Sequence, residues 1–262
     1  MNDQNLYEMS VEKDAKKLYD KQADAWSRKE PILLSDYSAR PFVLELCEPL
    51  TNLKVLDIGC GEGYVGREIL KRGAKHVDGI DVSEKMIAHA LLEKKNQNIQ
   101  NATYTVQDIS NLTVDGKEPY DLVIAMFLFN YLSIEETQST MKKVLALLKP
   151  GGCFIFSVPH PLLAFLKKDK YPFYFDVKGG YFSGRDVLFP GEIWRRDGKP
   201  VNVQCVHKTI QDYFSCLKSA NFKTMPEVYE LHINDEHIKL DEEFFTPLKD
   251  LPLHMAFKIQ KT

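Results

Sequence analysis

The sequence predicts an α/β fold, a doubly wound and mostly parallel sheet covered by helices on both sides. Three observations predict it. A short apolar strand, Val55-Leu56-Asp57-Ile58, runs into a bend with glycines at 59, 61 and 63, and then into a helix. Strand and helix patterns alternate from there to residue 158. The chain closes on a strand, 253–260, that sets Leu253, Met255, Phe257 and Ile259 against His254, Ala256, Lys258 and Gln260.

The elements follow in order. Residues 9–24 and 37–48 read as amphipathic helices. Strand 53–58 leads to helix 63–72, strand 76–81 to helix 84–95, and strand 102–107 to strand 120–126. Helix 134–148 and strand 153–158 come next. Ser133 with Glu136 makes a capping box, and Ser83 stands as an N-cap before Glu84. Met141, Val144, Leu145 and Leu148 fall on one helix face. The rhythm breaks at Pro159-His160-Pro161. Residues 160–206 are rich in aromatics, Gly and Pro, and read as an inserted lid or small antiparallel unit. A helix runs from Thr209 to Ala220, a strand lies near 223–231, and an acidic loop spans 234–243. Two final strands with no helix between them predict an antiparallel hairpin that closes the sheet.

Composition removes several function classes. The chain has 262 residues, 44% of them hydrophobic, and a net charge of −3. That balance gives no electrostatic basis for bulk nucleic-acid or acidic-membrane binding. The pairs Lys142-Lys143, Lys167-Lys168 and Arg195-Arg196 read as solvated surface. Five cysteines at 47, 60, 153, 205 and 216 form no C-x-x-C. A disulfide framework or structural zinc is not expected, and a reducing cytoplasm is. The polar N-terminus lacks the apolar core of a signal peptide, and no run approaches the roughly 18 apolar residues of a membrane span.

The glycine bend holds a nucleotide-type ligand, because backbone N–H groups approach closely where side chains are missing. Gly61-x-Gly63-x-x-Gly66 matches the dinucleotide fingerprint, and Asp81 lies 20 residues past Gly61. Asp57 argues against a pyrophosphate, which it would repel, and for a ligand carrying an ammonium group. A phosphate-binding P-loop also fits poorly, since Arg67-Glu68 follows Gly66 where Lys-Ser/Thr is required.

The run Val55–Arg67 resembles the first motif of class I S-adenosylmethionine-dependent methyltransferases. Gly79–Ile87 resembles their second-strand motif, and Gln107-Asp108-Ile109 the acidic motif after the third strand. Tyr120-Asp121-Leu122-Val123 resembles the fourth strand, and Leu148-Lys149-Pro150-Gly151-Gly152 the turn before the fifth. Tyr37-Ser38-Ala39-Arg40-Pro41 and His160-Pro161 are further similar to small-molecule enzymes of the methylase-11 type. The resemblance implies a seven-stranded Rossmann-like methyltransferase sheet with an antiparallel C-terminal hairpin. It implies an N-terminal helical cap over 1–50, a cofactor-binding core over 51–158, an aromatic-rich substrate lid over 159–206 and the remainder of the core over 207–262.

The resemblance also assigns roles. Asp57, Gly59, Gly61 and Gly63 would hold the methionine moiety of S-adenosylmethionine. Asp81 would accept both ribose hydroxyls, since a carboxylate offers two acceptor oxygens. Val82 and Met86 would pack near the adenine, Asp108 would take its amino group, and Ile109 would lie on the ring. Ala125, Met126 and Phe127 would line the path between, and Tyr19 and Trp26 would cover the cofactor. Gly59 and Gly61 also suit a bare tight turn, Asp81 a helix cap and Asp108 a loop. Cys60 is a small filler.

Methyl transfer is an in-line displacement at a sulfonium, so alignment at about 3–3.5 Å and a dry site supply most of the advantage. Tyr171, Phe173, Tyr174, Phe175, Tyr181, Phe182, Phe189 and Trp194 in the insert can wall off water around an organic acceptor. Tyr174, Tyr181 and Trp194 are its acceptor candidates, with Phe127 and with Arg40, which anchors a carboxylate or braces the N-terminal lid. His160, after the fifth strand, and His207, before the last long helix, are candidate general bases at the mouth of the site.

The expected activity is methyl transfer to an O, N or C atom of a small molecule. Metal-assisted C-methylation of a small acid is one alternative, but His207, His232, His237 and His254 lack tight ligand spacing, and no metal is expected. A non-catalytic S-adenosylmethionine-binding protein is another, against which the aromatic insert speaks. An NAD-linked oxidoreductase requires a second nucleotide half-site that the sequence lacks. Methylation of nucleic-acid amines requires Asn/Asp-Pro-Pro-Tyr/Phe where Ala125-Met126-Phe127-Leu128 stands.

Overall fold

The computed structural model describes residues 14–26, 30–114, 116, 118–167 and 169–262. The first turn expected for the opening helix (9–13) and Lys168 lie outside the described residues. Helices α1 (Ala15–Trp26), α2 (Leu34–Ser38) and α3 (Arg40–Leu46) come first. Strand β1 (Lys54–Ile58), α4 (Tyr64–Lys71), β2 (His76–Asp81), α5 (Glu84–Asn96), β3 (Ala102–Val106), β4 (Tyr120–Met126), α6 (Ile134–Leu147) and β5 (Leu148–Pro159) follow. After them come β6 (Phe173–Phe175), β7 (Leu188–Trp194), β8 (Pro200–Val206), α7 (Ile210–Ser219), β9 (Glu227–Leu231), α8 (Asp235–Leu240), α9 (Glu242–Phe245) and β10 (His254–Gln260).

Seven strands form one sheet in the order β3-β2-β1-β4-β5-β10-β9. The first five run parallel, with Asp57 beside Gly79 on one flank and Ile124 on the other. β10 runs antiparallel to both β5 and β9. The strand order reverses between β1 and β4, and ligands of such sheets sit beyond the strand ends at that reversal.

Both faces of the sheet are covered. Leu56, Val123, Phe154, Phe156 and Phe257 pack with Met141 and Val144 of α6 and Tyr213 and Leu217 of α7. Val55, Leu122, Ile124, Ile155 and Ala256 pack with Val43 of α3 and Ile69 of α4. A Cβ on Gly66 would come within 3.0 Å of Val77, so this glycine sets how closely α4 lies on the sheet. The caps read from sequence are present. Ser133 Oγ accepts the Glu136 N–H at 3.1 Å while Glu136 accepts the Ser133 N–H at 2.7 Å. Ser83 Oγ accepts from Met86.

The insert is a three-stranded antiparallel sheet, β6-β7-β8. Its Phe175, Phe189 and Val203 share a core with Trp26 of α1, Phe245 of α9 and Leu253.

Three expectations change. The single helix at 37–48 is two. Asp36 accepts the N–H groups of Ile32 and Leu33 at 2.9 Å each, which starts α2 early, and Pro41 in the first turn of α3 has no N–H with which to continue it. The acidic loop contains α8 and α9, because Asn234 caps the His237 N–H and Asp241 caps the Phe244 N–H. These helices therefore intervene before the closing strand. β10 is also buried on both faces from His254 to Phe257, since it lies inside the sheet between β5 and β9. Among the described residues no helix is long and apolar enough to cross a membrane.

Candidate functional site

A cavity of about 570 Å³ opens at the C-terminal ends of β1, β2 and β4. One wall is made by Asp57–Gly61, Ile80–Val82, Gln107–Ser110 and Met126–Leu128. Tyr19 and Trp26 of α1 cover it, and Phe175, Ile193 and Val203–Cys205 of the inserted sheet face it.

The bend after β1 is fixed by its neighbour strand. The N–H groups of Gly59 and Cys60 both donate to the Ile80 carbonyl, at 2.8 and 3.0 Å. Gly59 and Gly61 adopt φ of 71° and 54°, which glycine reaches without a steric penalty. The Gly61 N–H then donates to one Asp81 oxygen and the Ser83 N–H to the other, each at 2.9 Å. A carboxylate oxygen has two lone pairs, so these two bonds leave Asp81 with acceptor capacity. Burial raises the Asp81 pKa, and these amide donors counter it in part.

Asp57 is 1% exposed, and neither carboxylate oxygen has a hydrogen-bond partner. Burial first, then the nearby Asp81 charge, push its pKa up to about 7; the Gly66 amide and Arg40 act weakly the other way. An unpartnered buried carboxylate on a cavity wall is a site prepared for a cation.

Arg40 reaches the same wall. Its guanidinium donates to Asp36 at 2.6 Å and to Ser35 at 2.5 Å, and its carbon lies 5.5 Å over the Phe127 ring. Phe127 meets His254 edge to face at 5.1 Å. His254 Nδ1 pairs with Ser38 Oγ at 2.9 Å. Burial, then Arg40 and His160, push this imidazole down to about 3, so it is neutral.

The cover is tied down. The Tyr19 hydroxyl donates to the Tyr131 hydroxyl at 2.6 Å, and Tyr19 packs 5.3 Å from Trp26. Ser83 donates to Asp20 at 2.6 Å. Gln22 exchanges two hydrogen bonds with the Asn202 backbone.

The structure gathers Asp57, Gly59, Gly61, Asp81, Val82, Met86, Asp108, Ile109, Met126, Tyr19, Trp26, Arg40 and Phe127 around one cavity. Others fall elsewhere. Gly63 packs under Tyr104, where a Cβ would lie 2.8 Å from the ring, and is not on the cavity wall. Ala125 is fully buried within the sheet core. His160 bonds Glu230 at 2.9 Å, and His207 bonds the Tyr181 carbonyl at 2.8 Å between the rings of Phe165 and Phe189. Both line a separate pocket of about 10 Å³ behind Pro159 and Leu163, so neither faces the mouth of the site. Tyr174 is 51% exposed; Tyr181 and Trp194 are not on the wall either, and of the aromatic set only Phe175 is. No group of three His, Cys, Asp or Glu among the described residues is placed to hold a metal ion.

Sequence reasoning missed Asn130, Tyr131, Gln204 and Cys205 and met His254 only under the metal alternative; all five are on the wall. Asn130 and Tyr131 carried a positional signal, because they follow β4 at its C-terminal end. Gln204 and Cys205 carried none, since their strand reaches the cavity only through tertiary packing.

Residues 55–152 match a family model described as a methyltransferase domain. A ubiquinone biosynthesis O-methyltransferase from Coxiella burnetii is 32% identical over 155 residues, 58% of this chain and 64% of that protein. The match thus spans less than two thirds of that relative's length. An S-adenosylmethionine-dependent methyltransferase from Mesorhizobium loti superposes with a TM-score of 0.62 at 22% identity, covering 84% of this chain and 96% of that one. One from Clostridium acetobutylicum superposes at 0.59 and 18% identity, covering 94% and 96%. With the motif order, the switch-point cavity and the seven-stranded sheet already established, residues 55–152 match a methyltransferase domain, and the chain shares the fold of the S-adenosylmethionine-dependent methyltransferases of known structure.

Proposed function

We propose that this protein binds S-adenosylmethionine in the cavity and transfers its methyl group to a small organic acceptor. The observation that carries the reading is the pair of carboxylates flanking the glycine bend. Asp57 is buried without a partner, and Asp81 is held on two amides with lone pairs to spare. A diphosphate would meet two like charges there; an amino acid joined to a nucleoside meets an acceptor for its ammonium and an acceptor for its ribose hydroxyls.

In this reading Asp57 and the backbone of Gly59 and Gly61 hold the methionine end, with Arg40 nearby. Asp81 takes the ribose. Val82, Met86, Asp108 and Ile109 surround the adenine, and Met126 and Phe127 line the path between. Tyr19 and Trp26 exclude water. When bound, S-adenosylmethionine supplies an electrophilic methyl on a sulfonium. The protein contributes alignment and dryness, because the one imidazole that the described residues place on the wall, His254, is a very weak base. The described residues of 1–50 and 159–206 act as the cap, and those of 51–158 with 207–262 as the core. The name of the Coxiella relative favours an oxygen acceptor. Five free thiols fit work in the reducing cytoplasm, with a small-molecule partner rather than nucleic acid.

Calorimetric titration with S-adenosylhomocysteine and with NAD tests the reading. Saturable binding of the first and none of the second is expected. Binding of NAD alone would overturn it.

A further inference from the structure

We infer that the methyl acceptor is an uncharged, largely apolar molecule with a hydrogen-bonding edge, and that Gln204 and Asn130 bind that edge. The inference rests on the methyltransferase reading and gives its substrate a chemical class.

The two sides of the cavity differ in chemistry. The side built from strand ends carries Asp57, Asp81 and Asp108. The opposite side is built from Leu163, Phe175, Ile193, Val203, Gln204 and Cys205, and none of these is charged. β8 packs against the Phe129–Tyr131 turn, so Gln204 and Asn130 belong to one region of the wall. Gln204 is 3% exposed and Asn130 is 4% exposed. The Gln204 Oε1 and Asn130 Oδ1 atoms are buried with no hydrogen-bond partner. Buried amide oxygens in native proteins are normally paired, so two unpaired ones on one cavity wall mark a ligand contact. An amide oxygen accepts, which suits a hydroxyl or N–H edge.

Among the described residues the cations near the cavity each have partners, and only the Arg40 Nε is buried without one, at the methionine end of the proposed cofactor site. Arg40 is held by Asp36 and Ser35, Lys16 by Asp20 and Glu84, and Lys143 by the carbonyls of Ile109 and Ser110. Lys208, behind the wall, gives its ammonium to the carbonyls of Phe129, Leu132 and Val206. His254 is neutral. An anionic acceptor against the inserted sheet would lose its hydration and find no unengaged counter-charge there among the described residues.

The test uses the full chain and cell metabolites separated by ion exchange, before reaction, into neutral, anionic and cationic pools. Each pool is incubated with methyl-labelled S-adenosylmethionine. Label is expected in the neutral pool at ten times or more the level of either other pool. Gln204→Met and Asn130→Leu should each lower that labelling at least tenfold, leave S-adenosylhomocysteine affinity within twofold, and not lower the melting temperature. Label confined to the anionic or cationic pool, or undiminished in both variants, overturns the inference while the methyltransferase reading stands. Labelling lost together with a lower melting temperature in both variants assigns the amides to folding and also overturns their role. Absence of S-adenosylhomocysteine binding defeats the underlying reading, and binding without label in any pool defeats both.

Discussion

The hydroxyl of Tyr19 lies 2.6 Å from that of Tyr131, although 112 residues separate them in the chain. One sits on the covering helix and the other on the turn after β4. Burial raises the pKa of both phenols, that of Tyr131 to about 12, so both hydroxyls keep their protons at neutral pH. The bond therefore joins cover to floor across the proposed cofactor. Tyr131→Phe should weaken S-adenosylhomocysteine binding by about fivefold, the equivalent of the ~1 kcal/mol of one hydrogen bond. It should also speed hydrogen exchange in residues 14–26. Unchanged exchange and affinity would show that the bond does not hold the cover.

Asp81 orders the glycine bend through Gly61 and Ser83, and in the proposed reading it has a second task, accepting the ribose hydroxyls. Asp81→Ala should cost about 1–3 kcal/mol of stability through the orphaned amides. It should weaken cofactor binding by roughly thirtyfold or more, as two lost charge-assisted bonds require. Asp81→Asn, which keeps one acceptor oxygen, should fall between. Titration calorimetry beside thermal melts separates the two tasks, and near-wild-type affinity in the alanine variant would remove the ribose assignment.

Asp57 makes stability and affinity depend on pH in opposite senses. Its folded pKa is about 7, above the ordinary 3.8. At pH below the ordinary value the carboxyl is protonated in both states. As pH rises from there towards 7, the unfolded chain loses the proton and the folded chain keeps it, so stability falls across that window. Asp57→Asn should flatten melting temperature against pH over the same range. A ligand ammonium favours the ionised form, so S-adenosylhomocysteine should bind more tightly at about pH 8 than at about pH 6 and release protons on binding. Titrations in buffers of different ionisation enthalpy measure that release, and proton uptake would contradict the ammonium contact.

Lys208 is 2% exposed and serves three carbonyls, two of them in the turn that carries Asn130 and Tyr131. Lys208→Met keeps an unbranched apolar stem but takes the ammonium away from those carbonyls. It should destabilise the fold by about 3 kcal/mol, lowering the melting temperature by roughly 6–12 °C. A melt within two degrees of wild type would show that water replaces the ammonium.

The core of the fold was legible because its signals are local. Ser83, Ser133 and Thr209 cap helices in the chain segment that forms them, and the apolar run at β1 reads as a strand covered on both sides. Asn234 and Asp241 send the same kind of signal, yet an acidic stretch hid it, and two short helices read as loop. The strand-end side of the cavity was legible for the same reason, since Asp57, Asp81, Asp108 and Met126 each stand at or just past the end of their own strand. The side facing the inserted sheet was not. His160 and His207 flank the right strands but turn into a packed pocket, while Gln204 reaches the cavity from an insert with no telling pattern. Which side of a wall a residue faces is decided by packing between distant segments.

The covering helix kinks at Gln22, where φ is −128° and ψ is 22°. There its side-chain amide accepts the Asn202 N–H and donates to the Asn202 carbonyl, the same exchange a neighbouring strand would make. β8 is the outer strand of its small sheet, so its open flank would otherwise be a template for a stray chain. One glutamine thus occupies the donor and acceptor of Asn202 on that flank while it fastens the helix.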